Sequence, residues 1–271
     1  MNRRTKTLFI VIFTLLFIFS IVLLGILIPY DAIKVDFTIK NLPPSKEYIF
    51  GTDWLGRDMF LRTIKGLSIS IIMGVFSSLI SVVIALIMGL IAGISPKIGD
   101  TIVSFLIDII MSLPHLLFLV LISFIMGRGF KGIFVGILLT HWTSLARVIR
   151  GEILQIRNEH YIGISKKLGK NSFYIVKNHI LPFILPQVIV GSIILFPHTI
   201  LHESSITFLG FGFSPETPAI GIILSESMKY ISMGYWWLAF FPGFMLVLVV
   251  ILFDLLGENV KILINPYTYQ E

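Results

Sequence analysis

Long apolar runs constrain this chain more than any other feature. Leu8 to Ile28 carries no charged residue, and as a helix rising 1.5 Å per residue it would cross a hydrocarbon core of about 30 Å. Five more apolar stretches follow: Ser68 to Ile94, Thr101 to Met126, Phe130 to Ile149, Phe183 to Gly212 and Tyr235 to Gly257. In lipid the backbone must satisfy its own hydrogen bonds, so each stretch is expected to be helical. Composition agrees, because only 13% of the residues are charged where soluble proteins average about 25%. The expected fold class is an all-α integral membrane protein with six transmembrane helices and both termini in the cytoplasm. No soluble segment is large enough for a catalytic core. The absence of cysteine excludes disulfides, thiolate metal sites and Cys nucleophiles.

The basic residues orient the chain. Arg3, Arg4 and Lys6 precede the first run, and Pro29-Tyr30-Asp31 follows it. A signal peptide would have a shorter apolar region and a small-residue cleavage site, so an uncleaved helix with a cytoplasmic N-terminus is expected. The longest polar interruption of the C-terminal half, Arg147 to Pro186, carries Arg147, Arg150, Arg157, Lys166, Lys167, Lys170 and Lys177 against Glu152 and Glu159. Short loops rich in Lys and Arg stay inside, which puts this segment in the cytoplasm too. The net charge of +6 thus marks membrane topology and not nucleic-acid binding.

The connections carry further expectations. Asp31 to Gly66 is polar, and Asp53, Arg57 and Asp58 read as local ion pairs in a solvated loop with a turn at Gly56. Gly89 to Gly93 and Gly132 to Gly136 are small-residue faces that permit close helix approach. Ser95-Pro96-Lys97 reads as a turn, and the third span breaks at Pro114. Ser214 to Met233, rich in Pro, Glu and Gly, reads as a loop. Trp236 and Trp237 suit a membrane interface, and residues 257–271 form a polar tail.

Few residues could carry chemistry. Gly163 to Asn171 imitates a nucleotide-binding loop, but it has one residue too many between its glycines, and Asn171 stands where Ser or Thr should meet magnesium. Tyr161, Ile164, Leu168 and Ile175 recur at helical spacing, which suits a short amphipathic helix on lipid or against a cytoplasmic partner. In the fifth span His198 and His202 share a helix face, with Glu203 beside them. Imidazoles suit nickel or zinc, yet two His without a third ligand make a weak site. His115 and His141 stand isolated and read as interhelical hydrogen-bonding groups. Asp108 is expected to be paired within the bundle, and Pro197 to kink a helix lining a pathway.

Several motifs in order resemble one family. They are GTDWLGRDMFLR (Gly51 to Arg62), LIDIIMSLP (Leu106 to Pro114), ARVIRGEILQIRNEHYIG (Ala146 to Gly163), SSITFLGFGFSPETPAIGIIL (Ser204 to Leu224) and FPGFMLVLVVILFDLLGENVK (Phe241 to Lys261). Together they resemble the membrane permease subunits of bacterial ABC importers in the dipeptide, oligopeptide and nickel branch, over nearly the whole chain. The resemblance implies the type I importer fold. Residues 1–66 would form an N-terminal helix and extracytoplasmic loop, and residues 67–271 a five-helix core with a cytoplasmic coupling loop at about 150–182. The family's loop pattern, Glu-Ala-Ala then Gly then Leu-Pro, places Gly169 and Leu181-Pro182 at matching distances. Gly163 stands in the Glu slot, with Ile164 and Ser165 in the Ala slots, so the Glu role would be absent or moved to Glu159.

The resemblance implies a multi-pass protein of the bacterial plasma membrane. Its partners would be a second homologous permease subunit, two ABC ATPase subunits, an extracytoplasmic substrate-binding protein and membrane lipid, with no nucleic acid. ATP and magnesium would be bound by the ATPases, leaving this chain without a cofactor and without enzymatic activity. ATPase coupling would rest on Glu159, Tyr161, Gly163, Ser165, Leu168, Gly169 and Pro182, and the pathway or substrate site on His198, His202 and Glu203. The compact chain and its fifth-span histidines lean towards nickel or a metal chelate as cargo, with di- and oligopeptides as the other choice. A secondary transporter or channel would instead show inverted repeats and buried mid-membrane charges. An intramembrane enzyme would need a motif such as His-Glu-x-x-His, and after His202-Glu203 no second His follows.

Overall fold

A computed structural model describes residues 3–95 and 97–264. Pro96 of the expected turn and the end of the expected tail, 265–271, lie outside the described residues. Eleven α-helices are present among them, and the one β-bridge, Thr52 with Asp58, belongs to no strand. The first helix, α1 (Arg3–Leu27), turns Phe9, Phe13, Leu16 and Phe19 outward and lies along the second. Its C-terminus leads through two short 3₁₀ turns to α2 (Met59–Ile94). This helix starts well before the expected Ser68 because its charges are matched. Asp58 caps it by accepting from the amides of Phe60 and Leu61. Lys65 donates to the Ile28 carbonyl at 2.5 Å and lies 4.2 Å from the Tyr30 ring.

Next come α3 (Ile98–Ser112) and α4 (His115–Ile125), which bend by 96° at their junction. The expected break at Pro114 is there, with Leu113 extended (φ −88°, ψ 143°) as the residue before a proline prefers. The fourth span is α5 (Phe130–Thr140) and α6 (Trp142–Ile156), interrupted at His141. A short α7 (His160–Lys167) and α8 (Ser172–Ile175) follow, and a π turn over Val176–Ile180 feeds α9 (Leu181–Phe208), which contains Pro186 and Pro197. The chain closes with α10 (Ile220–Ile231) and α11 (Trp237–Ile264).

The expected loop after the fifth span is therefore partly helical. Its twelve-residue α10 is too short to cross the membrane. It buries Ile220, Ile222 and Ile223, and Ser227 Oγ donates to the Leu238 carbonyl at 2.8 Å. Of the two expected interface tryptophans, Trp236 is exposed and Trp237 is buried.

At the centre, α2 packs against α1, α6 and α9, while α11 packs against α1 and α9. Gly89 and Gly93 meet Ile149 and Ile153 of α6 so closely that a Cβ on either would overlap the isoleucine. That contact is the close-packing face expected from GLIAG. Ile149, Ile153, Ile156, Ile162, Ile175 and Ile180 continue it as one apolar cluster beneath α7 and α8.

The solvated loop expected over Asp31 to Gly66 is corrected at its core. Asp53 is fully buried and Arg62 is 1% exposed, with Arg62 Nη1 3.0 Å from Asp53 Oδ2 and Nη2 2.5 Å from Glu226 Oε2 on α10. Arg57 Nε reaches the same Asp53 oxygen at 2.6 Å. Gly51 (φ +72°) and Gly56 (φ +76°) hold left-handed turns, and a Cβ on Gly56 would strike the Asp36 carbonyl. The segment is a folded brace joining the α1–α2 connection to α10.

Candidate functional site

Two breaks and one face build a cavity. The α3/α4 bend puts His115 at the first position of α4. The interruption between α5 and α6 is His141 itself. On α9, His198 and His202 are one turn apart, and Pro197 leaves one backbone bond unmade beside them. The cavity has a volume of about 310 Å³, and its walls include Met111, Leu113, Ser144 and Leu195 besides the four histidines.

Three of the histidines converge. His141 Nε2 lies 3.0 Å from His202 Nδ1. The His115 ring centre lies 4.5 Å from that of His202 and 4.9 Å from that of His141. One ligand nitrogen from each falls within 4.8 Å of the others. The hydrogen bonds assign roles. Thr140 Oγ1 donates to the Gly136 carbonyl at 2.9 Å, so its lone pair accepts from His141 Nδ1 at 3.0 Å. His141 then carries its proton on Nδ1 and presents Nε2 as an acceptor to His202 Nδ1–H. His115 Nε2 is buried and makes no hydrogen bond among the described residues.

The expected pair, His198 and His202, does reach one cavity, but the tight group replaces His198 by His115 and His141. His115 and His141 are not isolated, because the helix breaks bring them to α9, and His141 makes there the interhelical hydrogen bond expected of it. Glu203 sits about 100° further round α9 and turns away from the cavity. It is fully buried, accepting from Thr207 Oγ1 at 2.9 Å and Ser204 Oγ at 3.3 Å. Asp108 pairs with Arg147 at 2.8 Å, an exposed bridge between α3 and α6.

The basic segment that follows α6 forms a second surface. Glu159 is the extended residue preceding α7, and its carbonyl accepts from Ile162 and Gly163. Ile162 is fully buried and anchors α7, while Tyr161 (43% exposed), Ile164 (46%), Leu168 (72%) and Phe173 (74%) face outward. Gly169 turns the chain at φ +78°, and Asn171 then caps α8 by accepting from the Tyr174 amide at 2.8 Å. Ser165 Oγ lies 3.1 Å from His179 Nε2, and Arg157 Nη1 donates to the Gly93 carbonyl at 3.1 Å. These contacts fasten the segment to α2 and to the entry of α9. Pro182 lies in the first turn of α9, directly after the π turn over Val176–Ile180. A Cβ on Gly163 would meet nothing within 4 Å, so a side chain there would project into open space.

Residues 85–261 match the family described as "Binding-protein-dependent transport system inner membrane component". The dipeptide transport system permease protein DppC of Bacillus subtilis (strain 168) is 35% identical over 265 residues, which cover 97% of this chain and 83% of that protein. The oligopeptide transport system permease protein OppC of the same organism is 30% identical, with 93% of this chain and 84% of that protein covered. The di/tripeptide transport system permease protein DppC of Pseudomonas aeruginosa (strain UCBPP-PA14) is 29% identical, with 94% and 86% covered. Among solved structures, a chain of the MetNI methionine ABC transporter in an inward-facing conformation superposes with a TM-score of 0.64 at 20% identity, covering 76% of this chain and 98% of that one. That likeness bears on the fold, which is the type I ABC importer permease fold. Nickel or a metal chelate, towards which the sequence leaned as cargo, finds no support in these relatives.

Proposed function

The chain belongs to the binding-protein-dependent transport system inner membrane component family, and from that premise we propose that it moves short peptides across the membrane. It is an ABC importer permease subunit, a multi-pass protein of the bacterial plasma membrane. The observation that carries the peptide reading is similarity to dipeptide and oligopeptide permeases over 97% and 93% of this chain.

The geometry suits the role in two places. The cavity lies where α4, the α5/α6 junction and α9 meet, and helix breaks at membrane depth are tolerated where they line a cavity. Leu117, Leu121, Phe124 and Ile125 of α4 remain exposed nearby, an apolar face that fits a second permease subunit. On the cytoplasmic side, α7 exposes Tyr161, Ile164 and Leu168 on a segment fixed by Ile162, Ser165 and Arg157. This surface would take one of two ATPase subunits, so that closure around ATP pushes on α7 and, through Gly93 and Ile153, on α2 and α6. Glu159, just ahead of α7, is the acidic group available to the partner where Gly163 supplies none. A binding protein would deliver peptide to the opposite face. No residue of this chain is asked to make or break a bond.

The test is uptake by cells lacking this chain, with a labelled dipeptide and labelled nickel measured side by side. Loss of dipeptide uptake alone, restored by the gene, is the expected result. Intact dipeptide uptake would overturn the peptide assignment.

A further inference from the structure

We propose that His115, His141 and His202 bind one divalent transition-metal ion, zinc being the probe of choice, and that the ion pins α4, the α5/α6 junction and α9 together. The ion is a ligand of the wall and not cargo.

Four observations carry this. Three imidazoles from three separate elements converge, with ligand nitrogens inside a 4.8 Å sphere of mutual distances. In a tetrahedral site with bonds of about 2.0–2.1 Å, neighbouring nitrogens lie roughly 3.3 Å apart. The His141–His202 pair, at 3.0 Å, is already close to that spacing. His115 has a buried Nε2 with no hydrogen bond among the described residues, a cost that a metal bond would remove. Finally, Thr140 orients His141 from behind. By accepting from Nδ1 it fixes the tautomer whose Nε2 lone pair faces the group, the arrangement that outer-shell partners impose on metal-binding histidines.

On binding, the ion replaces the hydrogen bond between His141 Nε2 and His202 Nδ1. The proton on His202 Nδ1 moves to its Nε2, so the ring stays neutral and no charge is lost. Three neutral nitrogens leave a fourth position, which opens to the cavity and takes water or a donor atom of a passing peptide. Borderline ions prefer imidazole, whereas calcium and magnesium prefer oxygen. Among the described residues no carboxylate lines the cavity, so the hard ions have nothing to hold them.

The mechanical consequence rests on the permease reading. Alternating access requires elements around the pathway to separate and rejoin. An ion bonded to three of them opposes that separation, so zinc slows transport from inside the wall.

The experiment uses the whole importer, purified without a polyhistidine tag and reconstituted in vesicles cleared of metal by a chelator. Zinc is titrated calorimetrically, and cobalt absorption reports coordination geometry. One zinc per copy of this chain is expected, with a tetrahedral cobalt spectrum. His115→Ala, His141→Ala and His202→Ala should each weaken zinc by more than about tenfold, and Thr140→Val by about tenfold. His198→Ala should stay within about threefold. Zinc should raise the melting temperature of the wild type but not of the triple variant, a comparison that holds even if the triple variant is less stable. Wild-type binding by the triple variant, or no saturable binding by the wild type, overturns the site. Peptide uptake is then read with and without zinc. Inhibition that chelator reverses and His202→Ala abolishes is expected. Zinc binding without inhibition overturns the pinning role, while absence of ATP-driven peptide uptake in metal-free vesicles counts against the peptide reading and leaves the binding result intact.

Discussion

Replacing Arg62 by Met should destabilise the folded chain by about 3 kcal/mol, the lower end of the 3–5 kcal/mol that follows removal of one partner from a buried ion pair. Asp53, Glu226, Arg57 and Arg62 form a set of zero net charge, and the first contact of Arg62 is 3.0 Å long. At that distance and an effective dielectric constant of about 20, one pair carries roughly 5 kcal/mol of Coulomb attraction, much of it offset by the cost of desolvating the guanidinium. Met keeps most of the stem volume and removes the charge. Two carboxylates then face Arg57 alone, whose Nη2 is already 3.6 Å from Glu226. Because Arg57 is 15% exposed and Glu226 25% exposed, water and Arg57 recover part of the loss, which selects the lower end of the range.

The assay is denaturant unfolding in detergent followed by tryptophan emission. Trp54 stacks on Tyr230 at 4.5 Å, and the guanidinium carbons of Arg57 and Arg62 lie 5.3 and 5.6 Å from its ring, so its emission reports this brace. A Trp54→Phe background separates it from the other tryptophans. The double variant Arg62→Met with Asp53→Asn should cost less than the sum of the singles by about 1.5 kcal/mol, since groups in contact couple by roughly 0.5–3 kcal/mol. A loss below about 1 kcal/mol for Arg62→Met, or simple additivity, would refute the brace as a buried ionic unit.

Three further outcomes are expected. Gly93→Leu should lower the melting temperature of the assembled importer, because overpacking against Ile153 costs about 1–3 kcal/mol and outweighs the gain of under about 1 kcal/mol from removing a helical glycine; an unchanged melting curve would contradict the close α2–α6 contact. Gly169→Val has space for its side chain but not the backbone angle, so a strain of about 1–3 kcal/mol should reduce ATPase copurification while membrane insertion is kept. Gly163→Glu should be accepted without loss of fold and stabilise α7 by nearly 1 kcal/mol; higher ATPase stimulation by peptide would mean that the empty Glu slot weakens coupling, and unchanged stimulation would assign the role to Glu159.

Apolar runs were legible because a membrane span needs little beyond length and lack of charge. Where the reading stopped short, charged or polar residues had partners far away in sequence. Arg62 looked like loop because one of its two acids, Glu226, lies 164 positions on, and once both pairs form the helix can begin at Met59. The same distance hid α10, whose buried isoleucines matter only when α9 and α11 pack around it. His115 and His141 carried no local signal, since their meaning depends on two helix breaks pointing at one face of α9. Pro114 announced the first break. His141, however, follows an ordinary helical pattern, and only its link to Thr140 and its contact with His202, 61 positions away, give it a role. A polar group that looks costly in an apolar run is thus best read as half of a tertiary pair, and its missing half is sought where the chain is forced to break.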